Sequence, residues 1–126
     1  MPSCRPNSLA HALTYLNDQR ADGLIYEIVV VQESNDGFDD FLRLSYGPRF
    51  KILRQRLNHD CGAAAKDRGI VESTGDYVAF WDDDNIYYPN AVATTFTTAN
   101  GFDVGIVKTR HHGTVIPISN GLVPGD

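Results

Sequence analysis

The chain has 126 residues, the size of a single domain, and 42% of them are hydrophobic. Its formal net charge of −5 argues against a basic surface of the kind that binds nucleic acid. No apolar run reaches the roughly 20 residues that span a bilayer, and the first residues show no apolar segment of a secretory signal. Because Cys4 and Cys61 are far apart and form no metal-ligand pair, we expect reduced thiols in a cytoplasmic protein.

Helical and strand patterns alternate along the chain. After Pro6, Asn7 is a candidate N-cap for a helix that ends near Asp18. The apolar residues of this helix recur at helical spacing: Leu9, Ala12, Leu13 and Leu16. Further helices are predicted over residues 38–44, 62–73 and 89–99, and strands over residues 26–31, 50–54, 77–81, 104–107 and 114–116. This order predicts one α/β domain over residues 1–126, with a mostly parallel, doubly wound sheet and helices on both faces.

The apolar residues 77–81 lead directly into Asp82, Asp83 and Asp84. Adjacent carboxylates at the end of a buried strand repel one another and are costly to desolvate, so their charge needs compensation. Divalent cations are common compensators, and hard oxygen ligands of this kind suit Mg²⁺ or Mn²⁺. Ligands of α/β sheets bind at the carboxyl ends of strands. The run therefore predicts a metal-assisted site for a phosphate-bearing ligand.

Four segments, in order, resemble the nucleotide-binding half of GT-A-fold glycosyltransferases of family 2. Residues 2–7 resemble the Pro-Thr-Tyr-Asn-Arg that ends the family's first strand, and residues 27–34 resemble its Glu-Ile-Ile-Val-Val-Asp-Asp-Gly-Ser. Residues 58–69 are similar to its Asn-x-Gly-x-x-x-Ala-Arg-Asn-x-Gly helix, with about one residue of slippage. Residues 75–85 resemble the strand that ends in its Asp-x-Asp motif, and Pro89 stands where the family has a proline.

The resemblance implies a role for each acid. Asp84, with Asp82, would ligate the Mg²⁺ or Mn²⁺ that carries the donor's diphosphate, and Asp82 or Asp83 would accept a hydrogen bond from the ribose. The bound metal would neutralise charge on the departing nucleoside diphosphate. The alternative for these residues is an acidic surface turn that caps the next helix.

Other positions carry nucleotide roles by the same resemblance. Glu33 would contact the base, and Gln32 replaces the family's first acid while still able to donate to and accept from a pyrimidine edge. Lys66, or less well Arg68, would face the diphosphate, and Asn58 would lie near the pocket. For each of these, an ordinary solvated surface residue is the alternative. The pair at 111–112 is expected to lie in a solvated loop, with metal ligation as its alternative.

Compared with the family, this chain lacks most of the first strand and the later half that holds the acceptor site and the general base. No catalytic residue can therefore be named. The family's first strand lies in the middle of the sheet, and its neighbours would be left with unpaired backbone groups. Three remedies stay open: the neighbouring strands close the gap, a homodimer completes the sheet, or the chain is a piece of a longer protein.

Three functions compete. The leading one is a glycosyltransferase-like protein that binds a nucleoside-diphosphate sugar, with UDP-sugar preferred, and transfers the sugar to an unknown acceptor. The second is a non-catalytic nucleotide-binding remnant or regulatory module. The third is a haloacid-dehalogenase-type phosphatase with Asp82 as nucleophile and Asp84 as acid and base; that family's motif lies early in the chain and continues with Thr, whereas Asn85 follows here.

Overall fold

The computed structural model describes residues 1–105 and, as backbone only, residues 109–111 and 114–116. In chain order, the elements are β1 (Pro2–Ser3), α1 (Pro6–Asn17), β2 (Ile28–Glu33), α2 (Asp39–Leu42), β3 (Phe50–Gln55), α3 (Ala63–Glu72), α4 (Ala91–Ala99), β4 (Thr109–His111) and β5 (Thr114–Ile116). The predicted strand at 114–116 is confirmed. The predicted strand at 104–107 lies partly outside the described residues, and so does the second histidine of the 111–112 pair.

The α/β class and the parallel sheet are confirmed. β1, β2 and β3 form a parallel sheet in that order, and β4 pairs with β5 in an antiparallel hairpin. The β1–β2 register pairs Ser3 with Gln32, and the β2–β3 register pairs Gln32 with Arg54. The carboxyl ends of all three parallel strands therefore lie at one edge of the sheet, which is where α/β proteins bind ligands.

Helices pack on both faces of β2. Val30 faces the main core, which it forms with buried residues of α1 and α2: Leu9, Leu13 and Phe41. The neighbouring Val31 points to the opposite face, where its Cγ2 lies 3.8 Å from the position of a Cβ added at Gly69 of α3. The predicted apolar stripe of α1 is also confirmed, because Leu9, Ala12, Leu13 and Leu16 are all buried. The sheet is incomplete relative to the family but has the expected layers.

The start of α1 differs from the prediction. The helix begins at Pro6 with Arg5 as its N-cap residue, and Asn7 lies inside the first turn instead of capping it. Proline suits the first helical position because its ring fixes φ near the helical value and its missing N–H would have no helical partner there. This start leaves the side chain of Arg5 free to reach another part of the chain.

The predicted strand at 77–81 is wrong. These residues make no ladder in the structure, and Tyr77, Val78 and Phe80 are 44%, 47% and 58% exposed. The physical reason is the neighbouring strand: β1 has only two residues and lies at the edge of the described sheet, so it offers a five-residue strand too few partners. The segment is instead tied near its ends, because Thr74 donates to Glu27 at the start of the sheet and Asp83 accepts from Ser3 at its end.

Three further hydrogen bonds hold segments beside the sheet and helices. The ammonium of Met1 donates to the Val29 carbonyl at 2.9 Å, and burial lowers its pKa to about 6. At the far end of α1, Gln19 accepts from the Val92 N–H at 3.0 Å and donates to the Tyr88 carbonyl at 2.9 Å. Gln19 thus caps α4 and anchors the segment that leads into it. α4 begins at Ala91, two residues after the predicted proline start.

Candidate functional site

The acids and the strand ends meet in one cleft. Residues 82–84, which we call the acidic loop, lie beside the ends of β1 and β2. The cleft has a volume of about 500 Å³, and we call it the acidic cleft. Its lining consists of Pro2, Ser3, Cys4, Arg5, Glu33, Leu57, His59, Asp60, Cys61, Gly62, Asp82, Asp83 and Asp84. A cleft therefore lies at the edge of the sheet where the sequence predicts a site, and ligand binding there stays a prediction.

One wall of the acidic cleft depends on a tight loop before α3. His59, Cys61 and Gly62 all have positive φ, at 46°, 58° and 78°. A Cβ added at Gly62 would lie 3.2 Å from the ring of Pro2, so the loop backbone packs closely against β1. Asp60 stabilises the loop by accepting from the Ala64 N–H at 2.8 Å, which lowers the pKa of its carboxyl group. Only a residue without a side chain fits easily at position 62.

Asp83 is the buried member of the acidic loop. Its side chain is 2% exposed, and it accepts a hydrogen bond from the Ser3 hydroxyl at 2.5 Å. The Arg5 guanidinium donates to its other oxygen in a charged contact. A buried carboxylate is tolerated only when its charge and hydrogen bonds are satisfied, and these two partners satisfy both.

Asp84 shares the same arginine but faces solvent. Arg5 Nη1 lies 3.1 Å from Asp84 Oδ2, and both side chains are 51% exposed. The hydrogen bond to Asp83, followed by the weaker effect of Asp84, raises the pKa of Arg5, which therefore stays charged. Sequence reasoning missed Arg5 and Ser3 as site residues. The signal was present, since both stand in the segment 2–7 that carries the family resemblance.

Asp82 lies at the other end of the acidic loop. Its carboxylate is 3.6 Å from Lys66 Nζ, and its carbonyl accepts a hydrogen bond from the Tyr87 hydroxyl at 2.6 Å. Trp81 stacks on Tyr87 with ring centroids 4.4 Å apart, and burial raises the pKa of Tyr87 to about 12. This contact places Lys66 beside Asp82, and its expected role toward a diphosphate stays a prediction.

Gln32 and Glu33 point to different places. Gln32 is fully buried: its Oε1 accepts from Arg54 Nε at 3.0 Å, and its amide donates to the Tyr46 hydroxyl. This placement speaks against the expected contact with a nucleotide base, because the side chain is buried and both ends of its amide already have partners in the chain. Glu33 is also buried, yet it lines the acidic cleft while accepting from Gln55 at 3.0 Å.

Two other expected residues lie away from the acids. Asn58 donates to Asp60 at 3.1 Å and lines a neighbouring open cleft of about 560 Å³, not the acidic cleft. Arg68 donates to the Arg54 carbonyl at 2.7 Å and so supports the end of β3. The side chains at 111–112 lie outside the described residues.

Side chains of this chain offset part of the charge of the acids. Arg5 contacts Asp83 and Asp84, and Lys66 lies near Asp82, so two positive charges face three negative ones. In the described part of the chain, no group of three or more His, Cys, Asp or Glu could by itself hold an ion. The residues nevertheless fit Mg²⁺, which proteins commonly bind through one or two carboxylates plus the phosphates of a substrate. Asp82 and Asp84 are about half exposed and lie on the same cleft, so both can supply hard oxygen ligands.

The sequence matches one protein family and several known proteins. Residues 4–115 match the Glycosyl transferase family 2 sequence family. An uncharacterized glycosyltransferase of Rickettsia felis is 33% identical over 79 residues, which cover 61% of this chain and 13% of that protein. Uncharacterized glycosyltransferases of Rickettsia prowazekii and Rickettsia typhi are 31% and 30% identical over 77 residues, 61% of this chain and 24% of each relative.

The matched regions are short relative to these proteins. The chain spans between 13% and 24% of the length of the curated relatives it matches. No solved structure matches it with statistical significance. Among the described residues, no helix has the length and apolar character needed to cross a membrane.

Proposed function

Because the chain belongs to glycosyltransferase family 2, we propose that its acidic cleft binds a nucleoside-diphosphate sugar through a divalent cation and serves the transfer of that sugar to an acceptor. The observation that carries the proposal is the convergence of Glu33, Asp82 and Asp84 on one cleft at the carboxyl edge of a parallel sheet. Family enzymes act on nucleotide sugars, and the cleft offers acids for a metal beside a cation for phosphate.

Each side chain has a part that follows from its position. Asp84 and Asp82 hold the cation, Mg²⁺ or Mn²⁺, because they are the half-exposed carboxylates of the acidic loop. A bound cation supplies Lewis-acid stabilisation of the departing diphosphate. Lys66, at 3.6 Å from Asp82, is placed to donate to a phosphate oxygen beside that cation.

Fewer residues contact the nucleoside in this proposal than the sequence implied. Glu33 keeps its proposed contact with the base, for which uracil is our preferred choice. Asp83 does not take the ribose role in this proposal, because Ser3 and Arg5 already hold its carboxylate in the interior. Asp82 takes that role if the cation is held mainly by Asp84. Gln32 supports Arg54 and has no direct ligand contact.

A non-catalytic nucleotide-binding module is the second candidate. The contacts of Arg5 and Lys66 with the acids favour it, because these two cations offset part of the negative charge that a metal would otherwise offset. We assign no general base among the described residues. Release of UDP from a UDP-sugar, abolished by Asp84→Ala, would favour the enzyme over the module. Family membership removes the phosphatase alternative. The homodimer and the cytoplasmic location stay predictions.

Calorimetric titration with UDP, with and without Mn²⁺, tests the proposal. We expect binding that depends on Mn²⁺ in the wild type and is lost in Asp84→Ala. Asp76→Ala is the matched control, because Asp76 is an exposed carboxylate that does not line the acidic cleft. If the wild type binds neither UDP nor a UDP-sugar at millimolar concentration, the proposal is wrong.

A further inference from the structure

Arg5 joins two carboxylates that differ greatly in exposure. Its Nη2 contacts Asp83, which is 2% exposed, and we call this the inner contact. Its Nη1 contacts Asp84, which is 51% exposed, at 3.1 Å, and we call this the outer contact. A guanidinium can make both at once because its donors form a rigid, planar fork.

The two contacts differ in how easily they break. The inner contact satisfies a buried charge, and its loss would leave Asp83 with the Ser3 hydroxyl alone. The outer contact joins two half-exposed groups, and such pairs add little because water screens them. A competitor for Asp84 would therefore break the outer contact and leave Arg5 anchored at Asp83.

We propose that Arg5 exchanges partners when the acidic cleft fills: its Nη1 leaves Asp84 as a divalent cation takes that carboxylate, and then donates to an oxygen of the diphosphate. This proposal rests on the proposed function, since it concerns the same metal and the same donor. It adds a specific competition between an arginine of this chain and the cation. Arg5 stays protonated throughout, so no proton moves and no bond other than a hydrogen bond is exchanged.

The exchange has opposite consequences for the two ligands. The cation alone competes with Nη1 for Asp84 Oδ2, so Arg5 weakens its binding. The diphosphate gains a charged donor that the inner contact holds at the cleft, so Arg5 strengthens its binding. The cation and the nucleotide therefore bind more tightly together than separately, and each raises the affinity of the other by the same factor.

Arg5→Lys tests the exchange, because a lysine keeps its charge near Asp83 but lacks the rigid planar fork through which Nη1 and Nη2 contact two carboxylates separately. The test compares two affinities by calorimetry: that of Mn²⁺ without nucleotide, and that of UDP at saturating Mn²⁺. We expect Mn²⁺ alone to bind about two- to fivefold more tightly than in the wild type, as loss of an exposed ion pair allows. We expect UDP to bind about three- to tenfold more weakly, as loss of a charged hydrogen bond requires.

The matched control is Arg43→Lys, which makes the same substitution at an exposed arginine that is paired with Asp40 and does not line the acidic cleft. It should not produce the pair of opposite shifts. If Arg5→Lys shifts both affinities in the same direction, or neither, the exchange is wrong while the proposed function stands. If the wild type binds neither Mn²⁺ nor UDP, the proposed function fails first.

A measurement on the wild type covers the case in which Arg5→Lys does not fold. The side-chain NMR signals of ¹⁵N-arginine report rotation of the guanidinium about its Cζ–Nε bond. We expect Mg²⁺ alone to speed this rotation at Arg5, and Mg²⁺ with UDP to slow it again. If the protein binds Mg²⁺ and UDP but the Arg5 signal changes neither with Mg²⁺ alone nor with Mg²⁺ and UDP together, the proposed exchange is wrong.

Discussion

The Ser3 hydroxyl donates to the buried Asp83 carboxylate at 2.5 Å, across a separation of 80 residues. This contact joins the end of β1 to the acidic loop and holds the loop against that edge of the sheet. Asp83 is thereby an anchor, and its neighbours Asp82 and Asp84 remain available to a ligand. The relationship gives the middle acid of the run a structural role, which a linear motif does not reveal.

We expect Ser3→Ala to lower the free energy of unfolding by about 1–3 kcal/mol, because it removes a hydrogen bond from a buried charged group. Urea denaturation followed by circular dichroism measures the loss. Ser45→Ala is the matched control, since Ser45 is exposed, and it should change the midpoint little. Equal midpoints for the two variants would show that Arg5 alone satisfies Asp83.

Gly62 and Gly23 allow a second comparison. Both have φ near +80°, so an alanine at either position meets similar backbone strain of about 1–2 kcal/mol. A Cβ at Gly23 meets nothing within 4 Å, whereas one at Gly62 lies 3.2 Å from Pro2. We therefore expect Gly62→Ala to unfold at lower urea than Gly23→Ala, and UDP binding to weaken only in Gly62→Ala. Equal UDP affinities in the two variants would show that this wall of the cleft does not shape the site.

The raised pKa of Tyr87 predicts that the protein loses stability at alkaline pH. Its pKa is raised from 10.0 to about 12, so the folded protein favours the neutral phenol. The stabilisation that this provides is fully present below pH 10 and is lost as pH rises from 10 towards 12. Between about pH 9 and about pH 11 the loss is about 1 kcal/mol, because one pKa unit corresponds to about 1.4 kcal/mol and water screens part of it.

Comparison of variants isolates this effect. Tyr87→Phe should lose less stability than the wild type over the same pH interval, because its unfolded state gains no phenolate at this position. Tyr88→Phe is the matched control: it removes a neighbouring tyrosine that is 65% exposed and should behave as the wild type does. Identical pH profiles for all three proteins would contradict the raised pKa.

Patterns that are local in the sequence predicted local structure well. The apolar spacing of α1 gave its buried stripe, and the β-branched run gave β2. The prediction of a strand at 77–81 failed because a strand needs a neighbouring strand to pair with. The length of that neighbour, β1, cannot be read from residues 77–81. The contact between Arg5 and Asp83 was not predicted either, since the two residues are 78 positions apart and leave no local pattern. The cleft itself was predictable, because parallel strands bring their carboxyl ends to one edge.

Trp81 offers a direct test of where the cation binds, because it is the only tryptophan of the chain and immediately precedes Asp82. It stacks on Tyr87, which is hydrogen-bonded to the Asp82 carbonyl, so its indole is fixed near the acidic loop. We expect Mn²⁺ with UDP to quench its fluorescence, since a paramagnetic ion quenches a nearby fluorophore. Mg²⁺ with UDP is the matched control for fluorescence changes that a conformational change alone would cause. Most of the Trp81 fluorescence should remain with Mg²⁺. Quenching by Mn²⁺ that persists in Asp84→Ala would place the ion at another site, and the acids would then lose their proposed role as ligands.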